Sequence, residues 1–283
     1  MRLFLFFIDR QRFIRYGWLV KQAFVTTNLL DLWSEPRYNS ERASQLLFGE
    51  VVRVGAVRKG FVKAAQPDGY SGWVDRRFLT EAPPRVPAAY RQAADYVVVR
   101  EKAGLRSGDL GTASPHFLYY GTRLRVVSHR QRKALCLLPD GSSFVLSAGA
   151  LKRVPDSKTA SAAGSDLVRE ARRFLGTPYL WGGLSPAGFD CSGLVRTILS
   201  RFGIYVPRDT KDQIKAGRPV ERADVKAGDL LFFNRHVGIA LGRERLIHAS
   251  MGGSGVRINS LRPGTDDYRP DLDRDFATAR RIL

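Results

Sequence analysis

The hydrophobic pattern changes period along the chain, and the change divides it. Up to about residue 156 the apolar positions come in short runs (50–57, 72–74, 123–127 and 144–146) around the turns Pro67-Asp68-Gly69 and Pro139-Asp140-Gly141. Short runs flanking an Asp-Gly signal are the pattern of β-hairpins. Two stretches match at a constant offset of 72 residues: Phe48-Gly49 with Tyr120-Gly121, Val54 with Val126, one Pro-Asp-Gly turn with the other, Val74 with Leu146, and Leu79 with Leu151. A fixed-period repeat predicts two copies of one small β-domain, and strands this short predict that each copy is a small barrel. Pro83, Pro84 and Pro87 separate the copies, and the Ser- and Ala-rich stretch 157–164 separates the second copy from the C-terminal part of the chain.

Beyond residue 164 the spacing becomes helical. Leu167, Val168, Ala171, Phe174 and Leu175 share one face of a helix capped by Ser165 and stopped by Gly176. A second helix opens at Cys191 behind Asp190 as N-cap, carries Leu194, Val195, Ile198, Leu199 and Phe202, and ends near Gly203. After Gly228-Asp229 the pattern turns to strands at 230–233, 237–241, 246–248, 256–258 and 276–282. Helices first and antiparallel strands afterwards make an α+β unit. The expected division is two small β-domains at 15–83 and 85–156, then an α+β domain at 164–283.

Two cysteines cannot make a disulfide framework. Cys136, inside Ala134-Leu135-Cys136-Leu137-Leu138, reads as a buried strand residue. Cys191 sits at a helix start, where unpaired N–H groups and the helix dipole are expected to lower a thiol pKa. His236 and His248 lie 45 and 57 residues downstream of it. A cysteine peptidase needs a thiolate, an imidazole to take and return its proton, a group to orient that imidazole, and donors for the oxyanion. His236 opens a strand and His248 lies on the next one, so antiparallel pairing brings the two within reach. Cys191 N–H and the Tyr179 hydroxyl are the candidate oxyanion donors. Four histidines and two cysteines show no metal-ligand spacing, so neither a metal nor another cofactor is expected.

Six blocks in order, Tyr179-Leu180-Trp181-Gly182-Gly183, Phe189-Asp190-Cys191-Ser192-Gly193-Leu194-Val195, Pro207-Arg208-Asp209-Thr210, Gly228-Asp229-Leu230-Leu231-Phe232-Phe233, His236-Val237-Gly238-Ile239 and Ile247-His248-Ala249-Ser250, resemble the NlpC/p60 family, the papain-like cysteine peptidases of bacterial cell walls. The resemblance implies that Cys191 is the nucleophile, His236 the base and then acid, and His248 the orienting third member. It also implies cleavage of peptidoglycan stem peptides between the γ-carboxyl of D-glutamate and the diamino acid. The preceding half resembles the paired bacterial SH3-like domains of the γ-D-glutamyl-L-diamino acid endopeptidases, which act on murein peptides with a free N-terminal L-alanine. In that branch the first SH3-like domain supplies a Glu and a Tyr to the substrate's amino end, and Glu35 and Tyr70 match those places. Trp181, Asp190, Ser192, Asp209 and Thr210 match other substrate-side positions, with Thr210 where serine is usual. The repeat offset puts Ser107 and Ser142 opposite Glu35 and Tyr70, so the second copy is expected to be structural.

The formal charge of +19 points toward polyanions. Residues 1–159 carry 26 basic and 13 acidic side chains, against 20 and 14 in 160–283, so most of the excess lies outside the cysteine-bearing half. It is scattered, without a nucleic-acid signature, and reads as a solvated basic surface with no nucleic-acid partner. The rival readings are a non-catalytic wall-binding protein, acyl transfer on lipid by the same Cys-His chemistry, and nucleic-acid binding resting on charge alone. The apolar run in 1–8 is too short for export or membrane spanning. The expectation is a cytoplasmic monomer trimming released peptides, with the periplasm or cell envelope as the alternative location.

Overall fold

A computed structural model describes residues 22–83, 95–105, 115–156 and 162–283. The apolar run at 1–8, the domain starts at 15 and 85, Pro84, Pro87, Ser107 and most of the 157–164 linker lie outside the described residues.

The first segment has seven strands: β1 (Gln22–Val25), β2 (Leu29–Trp33), β3 (Arg42–Leu47), β4 (Val51–Arg58), β5 (Phe61–Ala65), β6 (Ser71–Asp75) and β7 (Leu79–Glu81). The second has β8 (Tyr96–Val98), β9 (Lys102–Gly104), β10 (Phe117–Tyr119), β11 (Arg123–Arg130), β12 (Lys133–Leu137), β13 (Ser143–Ser147) and β14 (Leu151–Arg153). The bounds of β4 to β7 recur in β11 to β14 at the 72-residue offset. The left-handed turn positions Gly49, Lys59 and Gly69 recur as Gly121, Gln131 and Gly141. The backbone thus repeats the turn chemistry that the sequence repeats.

Neither segment closes into a barrel, contrary to the sequence expectation. The first is an open sheet in the order β3-β2-β6-β5-β4-β1-β7, whose edge strands β3 and β7 are not bonded to each other. Its β2–β3 hairpin joins the rest through the single pair Trp33 and Trp73. In the second, the corresponding hairpin β9–β10 stands apart from an open five-stranded sheet, β13-β12-β11-β8-β14. Short runs with Asp-Gly turns specify hairpins, but closure requires edge strands to pair across the sheet, and that register is not written in any local run.

One repeat position links the segments. Phe48 inserts into the core of the second segment, with its ring 5.9 Å from Phe144, and Tyr120, 72 residues on, inserts into the third, 4.9 Å from Phe174. Burying each ring contributes about 2–3 kcal/mol to holding neighbours together.

The third segment begins with α1 (Gly164–Arg172). Its N-cap is Ala163 and not Ser165: Asp166 Oδ2 accepts from the Ala163 N–H at 3.2 Å, and Gly164 lies against the Ala227 carbonyl, where a β-carbon would come within 1.7 Å. Only glycine fits at that contact. The short ribbon β15 (Leu184–Ser185) and β16 (Gly188–Phe189) leads into α2 (Cys191–Arg201), and α3 (Thr210–Gln213) comes next. Strands β17 (Arg218–Val220), β18 (Leu230–Phe233), β19 (His236–Gly242), β20 (Arg245–Ser250), β21 (Gly255–Ser260) and, after α4 (Pro270–Arg274), β22 (Thr278–Arg281) form one sheet, ordered β17-β22-β18-β19-β20-β21. Leu230, Phe232, Val237, Ile239, Ile247 and Ala249 pack against the apolar faces of α1 and α2, as the α+β pattern requires. No helix among the described residues is long and apolar enough to cross a membrane.

Candidate active site

Asp190 caps α2: its Oδ1 accepts from Gly193 N–H at 2.6 Å, and its Oδ2 accepts from Gly182 N–H at 2.9 Å. The second bond ties the Trp181-Gly182-Gly183 loop to the helix start. Gly193 and Gly183 approach so closely that a β-carbon on Gly193 would lie 2.0 Å from the Gly183 carbonyl oxygen. The two glycines therefore permit the loop to lie across the N-terminus that presents Cys191.

The Cys191 thiol is buried, 8% exposed, with its sulfur 3.8 Å from Thr210 Oγ1 and within hydrogen-bond reach of the Val237 and Ser192 amides. Val237 follows His236 in the chain, so the start of the strand that carries the first histidine lies at the thiol. Burial, and then the neighbouring Asp190 carboxylate, push the thiol pKa up, while the Thr210 hydroxyl and the two amides oppose them only in part. The Ser192 amide at the helix start lowers the thiol pKa, as the position leads one to expect, but desolvation outweighs it and the net shift is upward. Cys136 is buried in β12 as expected, and burial pushes its thiol up to about 12.

His236 Nε2 lies 2.7 Å from His248 Nδ1, with the rings nearly perpendicular. Burial lowers His236 to about 3, helped by charge repulsion from His248, and burial likewise lowers His248 to about 4. Both imidazoles rest neutral at pH 7. Gly238 makes the contact possible: a β-carbon there would lie 2.7 Å from Leu246 Cδ1 and 3.1 Å from His248 Cβ. His248 Nε2 is 3.0 Å from Asn259 Oδ1, and Asn259 Nδ2 donates to the Asp267 carbonyl at 2.9 Å. No motif or spacing in the sequence selects Asn259; only the pairing of β20 with β21 places it next to a histidine.

Arg208 belongs to the third motif block, but nothing in the sequence gives it a place in the site. It is 3% exposed and forks onto Asp190, with Nη2 to Oδ2 at 2.5 Å and Nη1 to Oδ1 at 3.1 Å. It also donates to Ser192 Oγ at 2.9 Å and, across to the first segment, to Ser44 Oγ at 3.0 Å. Around it the first segment lines the cleft. Tyr70 donates its hydroxyl to Asp209 Oδ1 or the Ala43 carbonyl, each at 3.2 Å, and burial beside the Asp209 charge raises its pKa to about 12. Trp181, half exposed, donates its indole N–H to Glu41 at 2.8 Å. The Asp209 carboxylate, although it precedes α3, does not cap it.

Most of the candidates are thus brought together: Cys191 with Thr210 and the His236 strand, Asp190 with Ser192 through Arg208, Tyr70 with Asp209. Tyr179 lies close enough for the Cys191 charge to act on its hydroxyl. Glu35 lies on an exposed turn, where its carboxylate pairs with Arg37 at 2.8 Å. Tyr70, Arg208 and Asp209 also line a cavity of about 1060 Å³ between the three segments, which does not include Cys191 or either histidine. Among the described residues, no three His, Cys, Asp or Glu side chains gather into a metal site.

A buried thiol at a helix start, next to the strand that carries a neutral histidine held by a second histidine, is the equipment of a cysteine hydrolase of papain-like design. Comparison with known proteins identifies the family. Residues 176–269 match the NlpC/P60 family, and residues 32–79 match the bacterial dipeptidyl-peptidase Sh3 domain. The chain is 33% identical over 235 residues to a gamma-D-glutamyl-L-lysine dipeptidyl-peptidase of Bacillus subtilis (strain 168), covering 77% of this chain and 75% of that one. It is 29% identical over 289 residues to the protein of the same name from Bacillus cereus, covering 91% and 83%. The crystal structure of an NlpC/P60 family protein from Bacillus cereus superposes with a TM-score of 0.77 at 25% identity, covering 93% of this chain and 99% of that one. The chain belongs to the NlpC/P60 family of cysteine peptidases, with one SH3-type segment ahead of the peptidase unit.

Proposed function

We propose that this peptidoglycan-hydrolysing peptidase cuts the γ-D-glutamyl-diamino acid bond of stem peptides that carry a free N-terminal L-alanine. The observation that carries the reading is the Tyr70–Asp209 hydrogen bond, by which the SH3-type segment borders the cleft one residue from the hydroxyl that touches the thiol. Asp209 has no ion-pair partner among the described residues and accepts only this neutral hydroxyl there. A half-buried carboxylate so placed favours an α-ammonium, whereas an acylated nitrogen would leave it unpaired. Glu35 joins the ammonium by leaving Arg37, an exposed pair whose loss costs little. The names of the Bacillus relatives support the bond class.

In this reading the Cys191 proton passes to His236, and the sulfur attacks the γ-carbonyl. Cys191 N–H and the Tyr179 hydroxyl receive the oxyanion, and the imidazolium protonates the departing amine. Water then hydrolyses the thioester, with His236 as base. Thr210, Ser192 and Asp190 shape the wall, and Trp181 covers the loop side. We extend the proposal to the division 15–83, 85–156 and 164–283, with the second segment as another module of the first one's type, on the strength of the recurring element bounds. A monomer that trims released peptides in the cytoplasm fits the free-amine requirement.

The test compares L-Ala-γ-D-Glu-diaminopimelate with its N-acetylated form. The free peptide should be cleaved at least about tenfold better, the worth of one charge-assisted pair, and Cys191→Ala should abolish cleavage of both. Equal rates on the two peptides would remove the amino-end reading, and turnover by Cys191→Ala would remove the mechanism.

A further inference from the structure

We propose that Asn259 is a positioning residue that fixes the tautomer of His248 and thereby leaves Nδ1 of His236 as the nitrogen that takes the thiol proton. The inference rests on the catalytic reading above, but its atoms form a chain of their own. Ile239 pairs with Ile247 and His248 with Arg257, so His236, His248 and Asn259 lie on a diagonal across β19, β20 and β21, on one face of the sheet. The far end of the chain is a backbone carbonyl, that of Asp267, which can only accept.

Each step then determines the next. Asn259 must turn its NH₂ toward the Asp267 oxygen, at 2.9 Å, which leaves Oδ1 facing His248 Nε2 at 3.0 Å. An amide oxygen cannot donate, so His248 carries its proton on Nε2 and offers a lone pair on Nδ1. That lone pair accepts from His236 Nε2–H at 2.7 Å, and neutral His236 is left with an unprotonated Nδ1. When the thiol ionises, the proton moves from Sγ to Nδ1, giving thiolate and imidazolium with no other reactant. The opposite tautomer of His248 would demand an acceptor at His236 Nε2 and put a proton where the lone pair is needed.

The anchor is rigid. Asn259 is 3% exposed, and the Asp267 carbonyl also receives Ser260 N–H at 2.9 Å while the Asp267 carboxylate is ion-paired to Arg245. The other charged groups acting on His248 are Arg269, Arg257 and Asp271. None of these accepts a hydrogen bond from Nε2 in place of Asn259, so the amide alone selects the tautomer.

The test is long-range ¹H–¹⁵N NMR on histidine-labelled protein, joined to steady-state kinetics. Wild type should show His248 as the Nε2–H tautomer at pH 7. Asn259→Leu, which keeps the volume and removes both bonds, should mix the tautomers and lower kcat about 10- to 100-fold, less than the ~10⁴ seen when a group touching the base is changed, with KM unmoved. Asn259→Ala is the second variant should the leucine fail to fold. An Nδ1–H tautomer in wild type, or an unchanged tautomer and kcat in a folded variant, would overturn the proposal. The NMR result needs no substrate, so it stands apart from any failure of the peptide reading.

Discussion

Replacing Arg208 with methionine isolates the junction between the SH3-type segment and the nucleophile helix. The guanidinium is almost wholly buried and holds both oxygens of Asp190, Ser192 Oγ and Ser44 Oγ. Removing one partner of a buried pair costs about 3–5 kcal/mol, because the remaining charge is left uncompensated. Asp190 would keep the Gly182 and Gly193 amides and the Ser192 hydroxyl, which places the loss near the lower end, about 3 kcal/mol. For a chain of this size that is a fall in Tm of about 6–12 °C, readable by tryptophan fluorescence, since Trp33, Trp73 and Trp181 report on both sides of the junction. Arg208→Met/Asp190→Asn should recover part of the loss, because the neutral amide no longer carries an unpaired charge. A fall in Tm under about 2 °C for Arg208→Met, equivalent to less than about 1 kcal/mol, would show that the pair does not hold the junction. A double variant whose loss equals the sum of the two single losses would show that the residues act separately.

The histidine pair carries two further expectations. Gly238→Ala should fold with a loss of about 1–3 kcal/mol and lose most of its peptidase activity, since the new methyl displaces the His248 and Leu246 side chains; wild-type kcat in a folded Gly238→Ala protein would refute the close approach. Because His236 and His248 have folded pKa values lowered to about 3 and about 4, the unfolded chain binds protons between those values and pH 6.5 that the native protein does not. The contribution of the pair to stability is therefore complete above pH 6.5 and falls with acid by up to about 1.4 kcal/mol per pH unit for each histidine. Tm measured from pH 7 to 5 should show this decline, and His248→Gln should reduce its slope; an unchanged slope would place the acid sensitivity elsewhere.

The features legible along the chain were those that rest on neighbours in sequence. The hairpin turns, the cap at Asp190 and the Cys191 helix arise from residues within one turn of each other, and the 72-residue repeat carries its strands with it. Two expectations depended on neighbours that are distant in sequence, and both changed. The two N-terminal sheets stay open because closure is a pairing between edge strands far apart in the chain, β3 and β7 in the first. The Cys191 thiol is pushed up because folding removes the water around it, and the Thr210 hydroxyl and the Ser192 and Val237 amides offset that only in part. The pairing of β20 with β21 alone brings Asn259 to His248, and the docking of the first segment alone brings Tyr70 to Asp209 and Arg208 to Ser44. Sequence by itself determined which groups could do chemistry, since side-chain type is local. Tertiary structure decided their protonation and their partners, since burial and cross-strand contact arise only when remote segments meet.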